Sequence, residues 1–88
     1  MKVSDYILNF LSQNGTHHVF LMTGGAIMFV IDSFKGRKDI NYICIQHEQA
    51  AAMAADAYSR VGKGIGTAMT TSGPGATNLV TGICCSWF

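Results

Sequence analysis

The residue with the widest chemical scope in this sequence is Glu48, its one glutamate, which follows His47 and opens an alanine-rich stretch. A carboxylate there has two roles open to it. It can complement the positive end of a helix dipole. It can also act as a general acid or base in an apolar crevice, where burial would raise its pKa and keep it protonated near neutrality. Position alone favours the first role.

Two glycine-bearing runs accompany it, Thr23-Gly24-Gly25 and Thr71-Ser72-Gly73-Pro74-Gly75. Glycine turns that open helices can cradle phosphate. However, neither G-x-G-x-x-G nor G-x-x-x-x-G-K-[ST] occurs, and Gly62-Lys63-Gly64-Ile65-Gly66 precedes an expected strand instead of following one. His17, His18 and His47 lack metal-site spacing, so a structural or supporting role is expected for each. The aspartates follow no nucleophile motif. Cys44, Cys84 and Cys85 are odd in number and lack C-x-x-C, and the adjacent pair is badly placed to bridge. Reduced thiols in a cytoplasmic protein are expected, with Cys84 and Cys85 as small buried helix residues.

The elements that must position these groups follow from hydrophobic spacing. Val3, Tyr6, Ile7, Phe10 and Leu11 recur at helical period, with Ser4 or Asp5 to cap and Asn14-Gly15 to stop. Residues 18–22 read as a buried strand, 23–25 as a turn and 26–34 as a second helix. After a polar loop at 36–39, residues 40–45 form a second apolar strand. An alanine-rich helix over 47–61 ends at Gly62 and carries an Asp56–Arg60 pair at i,i+4. Its alanines would let it pack closely. Residues 65–71 form a third strand, and the turn at 72–75 leads into a fourth helix with Pro74 or Gly75 near its first turn.

This alternation predicts an α/β fold: three layers, α/β/α, around a parallel sheet. Right-handed crossovers give strand order 2-1-3. Ligands in such sheets bind beyond the carboxyl ends of the strands, at the switch point. The turns at 23–25, 46–48 and 71–75 all fall there and all open helices, so unpaired N–H groups converge on one crevice.

Bulk properties exclude several classes. The 88 residues allow one small domain. Charged residues make up 12%, against roughly 25% in typical soluble domains, so little charge covers the exterior. A net charge of +1 gives no basic field, and Lys35, Arg37 and Lys38 read as a solvated loop instead of a nucleic-acid patch. The longest nearly apolar stretch, 19–31, falls short of the ~20 residues needed to span a membrane. An early acid, Asp5, argues against a signal peptide. The sequence stops at Ser86-Trp87-Phe88 within a helical pattern, and three parallel strands leave both sheet edges open. A fragment of something longer is therefore expected in preference to a short natural protein.

His47-Glu48-Gln49-Ala50-Ala51, Met53-Ala54-Ala55, Tyr58-Ser59-Arg60 and Gly62-Lys63, followed by Thr71-Ser72-Gly73-Pro74-Gly75-Ala76-Thr77-Asn78, carry a resemblance. They resemble the N-terminal pyrimidine-binding domain of thiamine-diphosphate-dependent enzymes. The likeness is greatest to the acetolactate synthase, pyruvate oxidase and 2-oxoacid decarboxylase group. Val19-Phe20, Gly24-Gly25-Ala26 and Ile31-Asp32-Ser33 fit as well, so the resemblance spans 1–88, and the spaced pair of motifs is what makes it specific. It implies that 1–88 is the first half of that domain. It further implies that Glu48 is catalytic: it hydrogen-bonds N1′ of the aminopyrimidine and so promotes loss of the thiazolium C2 proton. Gly73, Pro74 and Asn78 would line the pyrimidine pocket, and Gly24 and Gly25 would approach it across a subunit interface.

By the same resemblance the full-length protein is a lyase or transferase acting on 2-oxoacids as a homodimer or homotetramer. The diphosphate and Mg2+ would sit on another domain, whose Gly-Asp-Gly motif is absent here, and some of the group also bind FAD. Alone, the segment would be inactive; the alternatives are a separate small subunit or a truncated product. Met22-Thr23, where many relatives have a proline, and Cys84-Cys85, where small residues are usual, depart from the pattern.

Overall fold

The computed structural model describes residues 2–62 and 64–88, so Lys63 of the expected 62–64 loop lies outside the described residues. The elements run α1 (Val3–Gln13), β1 (His18–Leu21), a 3-10 turn (Gly25–Ile27) continuing into α2 (Met28–Ser33), β2 (Asn41–Cys44), α3 (Glu48–Val61), β3 (Thr67–Met69), α4 (Pro74–Thr77) and α5 (Val80–Trp87). The strands form one parallel sheet in the order β2-β1-β3, the 2-1-3 order expected from right-handed crossovers. His18 to Leu21 pair with Asn41 to Cys44, and Val19 to Leu21 with Thr67 to Met69.

Period-two alternation sends Val19 and Leu21 to one face of β1 and Phe20 to the other. Val19 and Leu21 are fully buried with Leu8 of α1, Phe34 and Ile40. Phe20 meets the ring of Tyr58 on α3 edge-on, centroids 5.8 Å apart. The sheet thus lies between an α1/α2 layer and an α3/α5 layer. The second layer packs through small residues: Ala51, Ala52 and Ala55 are buried. A Cβ on Gly82 of α5 would overlap that of Ala52, and one on Gly66 would overlap the Ala55 carbonyl oxygen.

The far end of the sheet is held by polar contacts. The Thr16 hydroxyl donates to the Ile65 carbonyl at 2.6 Å. The Tyr58 hydroxyl accepts from the His17 N–H at 3.2 Å and stands 3.5 Å from His18 Nδ1. The His17 ring Nδ1 lies 3.0 Å from the Asp39 carbonyl oxygen. Arg37 donates to Asp39 through Nε and Nη2, at 3.0 and 2.7 Å. The Asp56–Arg60 pair forms at 3.1 Å.

Five details differ from the sequence reading. Ser4 does not cap α1; it is buried and accepts a 2.7 Å hydrogen bond from Ser33 of α2, tying the two helices together. The α1 positions Val3, Tyr6, Ile7 and Phe10 face outward, Val3 being 78% exposed, because Leu8 carries the inward face. β2 is exposed along its length, since it lies at a sheet edge. Cys84 and Cys85 are exposed, because α5 turns Gly82 toward α3. The expected fourth helix also splits: a Leu79 N–H to Ala76 carbonyl bond tightens the chain between α4 and α5. Among the described residues, no helix is long and apolar enough to cross a membrane.

Candidate functional site

Each of the three helix-opening turns follows a strand at its carboxyl end. His47 ends the second turn as the N-cap of α3, its Nδ1 accepting from the Gln49 N–H at 3.0 Å. Glu48 is therefore the first residue of the helix, not the second as the sequence reading had it. Its side chain turns inward and is only 9% exposed.

The third turn closes over Glu48. Gly73 has φ +70°, a conformation that glycine adopts without strain, and it sets Pro74 as the first residue of α4. Gly75 is buried one step later. A Cβ there would stand 3.5 Å from Oε2 of Glu48 and 2.9 Å from the Thr71 methyl. At the end of α4, Asn78 Nδ2 donates to Oε1 of Glu48 at 3.1 Å. The first turn joins through Thr71. A Cβ on Gly24 would fall 2.5 Å from the Thr71 Cβ, and the Thr71 Oγ1 accepts from the Ala26 N–H at 3.3 Å.

The structure thus brings together Gly24, Glu48 and Asn78 among the residues singled out from sequence. Gly25 is exposed with open space beside it, and Gly73 and Pro74 shape the turn while staying exposed. Thr71, to which the sequence assigned no role, joins the first and third turns, and Gly75, within the 73–78 turn expected to line the pocket, lies beside Glu48. Their signal was present in the sequence as a threonine before, and a second glycine within, the same short motif.

Burial was expected to raise the pKa of Glu48. It does push that way, but other effects outweigh it. A hydrogen bond from its own backbone N–H, then the Asn78 amide, and the nearby His47 hold the carboxyl below its ordinary value. Donors aimed at the charged form stabilise it, so Glu48 is an ionised carboxylate at neutral pH.

An open groove of about 550 Å³ lies between α3, β3 and α5, and none of its lining residues belongs to the three turns. A shallower recess of about 360 Å³ at the start of α3 is lined by His47, Gln49, Ala50 and Met53, without Glu48. Chemistry, not size, marks the site: the groove's acid, Asp56, is paired with Arg60, whereas Glu48 has an oxygen facing a glycine. No cluster of three or more His, Cys, Asp or Glu among the described residues is placed to hold a metal.

A doubly wound sheet with a buried acid at its switch point defines the class, and comparison with known sequences gives the family. Residues 1–87 match the family described as thiamine pyrophosphate enzyme, N-terminal TPP binding domain, and the chain belongs to it. It is 40% identical over 80 residues to the acetolactate synthase large subunit of Buchnera aphidicola, covering 91% of this chain and 14% of that protein. The same subunit of Pyropia yezoensis is 44% identical over 80 residues, covering 88% and 14%. A probable acetolactate synthase large subunit of Methanocaldococcus jannaschii is 43% identical over 83 residues, covering 94% and 14%. The chain therefore spans about one-seventh of the length of these relatives.

Proposed function

We propose that this chain supplies the aminopyrimidine-binding half of a thiamine diphosphate site in an enzyme of acetolactate synthase type acting on 2-oxoacids. The observation that carries this is the placement of Glu48: buried at the head of α3, bound through Oε1 to Asn78, with Oε2 on the Cβ-less side of Gly75. A carboxylate so held fits a ring that offers one protonatable nitrogen. When bound, thiamine diphosphate supplies the electron sink on which bonds beside a 2-oxoacid carbonyl are broken and made.

This chain's residues then have three tasks. Glu48 holds or releases one proton at the ring's N1′. Thr71 and Gly24 fix the distance between the first and third turns. Gly75 leaves room beside the carboxylate. The diphosphate and its magnesium belong on a different domain in this reading, and the half-site meets that domain in a homodimer or homotetramer.

The test is a graft. Residues 1–88 replace the matched 83-residue segment of the Methanocaldococcus jannaschii relative, and exchange of the C2 proton of bound thiamine diphosphate is followed. Glu48→Gln is expected to slow exchange roughly 10²–10⁴-fold, the range of a lost acid–base group. A graft carrying Glu48→Gln that exchanges as fast as its parent would sink the assignment.

A further inference from the structure

We infer that Asn78 is a positioning residue that acts through Glu48: its amide occupies Oε1, so that Oε2, over Gly75, is the oxygen left to face a ligand. The inference deepens the function proposed above and rests on it. The sequence resemblance placed Asn78 on the pocket wall, where it would touch the cofactor. The structure instead spends its donor on the carboxylate.

The geometry explains why an amide is needed. A free carboxylate has two equivalent oxygens; Glu48 also accepts from its own N–H, and Asn78 is the side-chain donor that marks out Oε1. The 3.1 Å bond distinguishes the two oxygens. Asparagine carries both a donor and an acceptor. Nδ2 can donate to Oε1 both while Glu48 is ionised and when it carries a proton on Oε2, because Oε1 stays an acceptor in either state. The residue thus accommodates both states of an acid that exchanges one proton between Oε2 and a ring nitrogen, with no other bond made or broken. Leucine offers neither partner, and aspartate offers a competing charge.

The surroundings isolate the effect. His47 is the titratable neighbour, and it acts in the direction that lowers the Glu48 pKa. The first and third turns bring Gly24, Thr71 and Gly75, none of which titrates. A substitution at Asn78 leaves all of these in place.

Glu48 is the sole glutamate, so a chain labelled with carboxyl-13C glutamate gives one glutamate resonance to titrate. Asn78→Leu removes the donor and Asn78→Asp, isosteric, adds a like charge; both are expected to raise the titration midpoint. Thiamine, which carries the aminopyrimidine, is then titrated into the full chain across pH. Binding needs one proton shared between Glu48 and the ring, so the centre of its pH profile is expected to move up with the midpoint.

A midpoint unchanged in both variants overturns the pairing. A midpoint that moves while the thiamine profile stays put overturns the positioning role. If Asn78→Leu does not fold, the isosteric Asn78→Asp carries both readouts. A Glu48→Gln chain that binds thiamine like the parent removes the site itself, and that failure is read in a different variant.

Discussion

Replacing Gly24 by alanine tests how tightly the first and third turns are locked at the site. Gly24 has an extended backbone, φ −170° and ψ 160°, which alanine adopts freely, so the effect is steric. The new Cβ would stand 2.5 Å from the Thr71 Cβ and 3.0 Å from both Cγ2 and Oγ1. Relaxed carbon contacts lie near 3.5–4.0 Å, so the turns must part by roughly 1–1.5 Å. Both Cβ atoms are fixed to the backbone, and no rotamer relieves the clash. Overpacking of this kind costs about 1–3 kcal/mol. Parting the turns also weakens the Ala26 N–H bond to Thr71, worth about 0.5–1.5 kcal/mol. Reduced freedom of the unfolded chain returns about 0.4–1 kcal/mol. The net loss is about 2 kcal/mol, or a fall of about 8–16 °C in Tm for a domain of this size.

Thermal unfolding followed by circular dichroism reads this directly, and a second substitution sharpens it. In the Gly24→Ala background, Thr71→Gly removes all three clashing atoms, whereas Thr71→Ala leaves the closest one. Only Thr71→Gly should therefore show a favourable coupling with Gly24→Ala in a double-mutant cycle. A Gly24→Ala chain as stable as the parent, or rescue by Thr71→Ala equal to that by Thr71→Gly, would refute the reasoning.

Two further outcomes are expected. Tyr58→Phe deletes the hydroxyl that accepts from the His17 N–H and faces His18; it should lower the urea midpoint by about 1 kcal/mol of stability with the m-value unchanged. Asp39 is held well below the usual carboxylate range, first by Arg37 and then by Ser12. A depressed folded pKa contributes stability that is present above the unfolded value and lost as pH falls through the folded one. Asp39→Asn should therefore flatten part of the acid limb of a stability-versus-pH curve. An unchanged acid limb would show that the exposed pair adds nothing measurable.

The fold was legible where the pattern was local and two-sided. Val19 and Leu21 against Phe20, and the alanines of α3, read out the layers because their spacing leaves one packing solution. α1 misled for the opposite reason. Its apolar residues are numerous enough to suggest an inward stripe, yet Leu8 and the small Ser4 bury the face that meets α2, while Val3, Tyr6, Ile7 and Phe10 stay outside. Cys84 and Cys85 failed similarly: the residue that fits against Ala52 is Gly82, and its neighbours are turned out by the helical period. In α5 the smallest residue on the helix set the contact, and in α1 Ser4 shares it with Leu8; hydrophobicity scales give small residues little weight.

The site was legible as a set of turns but not as a charge state. Spacing placed the three turns at one end of the sheet because parallel strands allow nothing else. The ionisation of Glu48 depends on where a few donors point, and that is decided by Gly73 and Pro74 setting the course of α4 so that Asn78 returns to α3. Burial alone predicted a protonated acid. Three favourable contacts acting on the charged form reverse that sign. The reversal matters chemically. An acid already protonated could only donate to N1′, whereas an ionised Glu48 can take a proton from the ring or stabilise one already there. The Asn78 hydrogen bond, second to that from Glu48's own N–H, supports the charge, and in the inference drawn above it also chooses the oxygen.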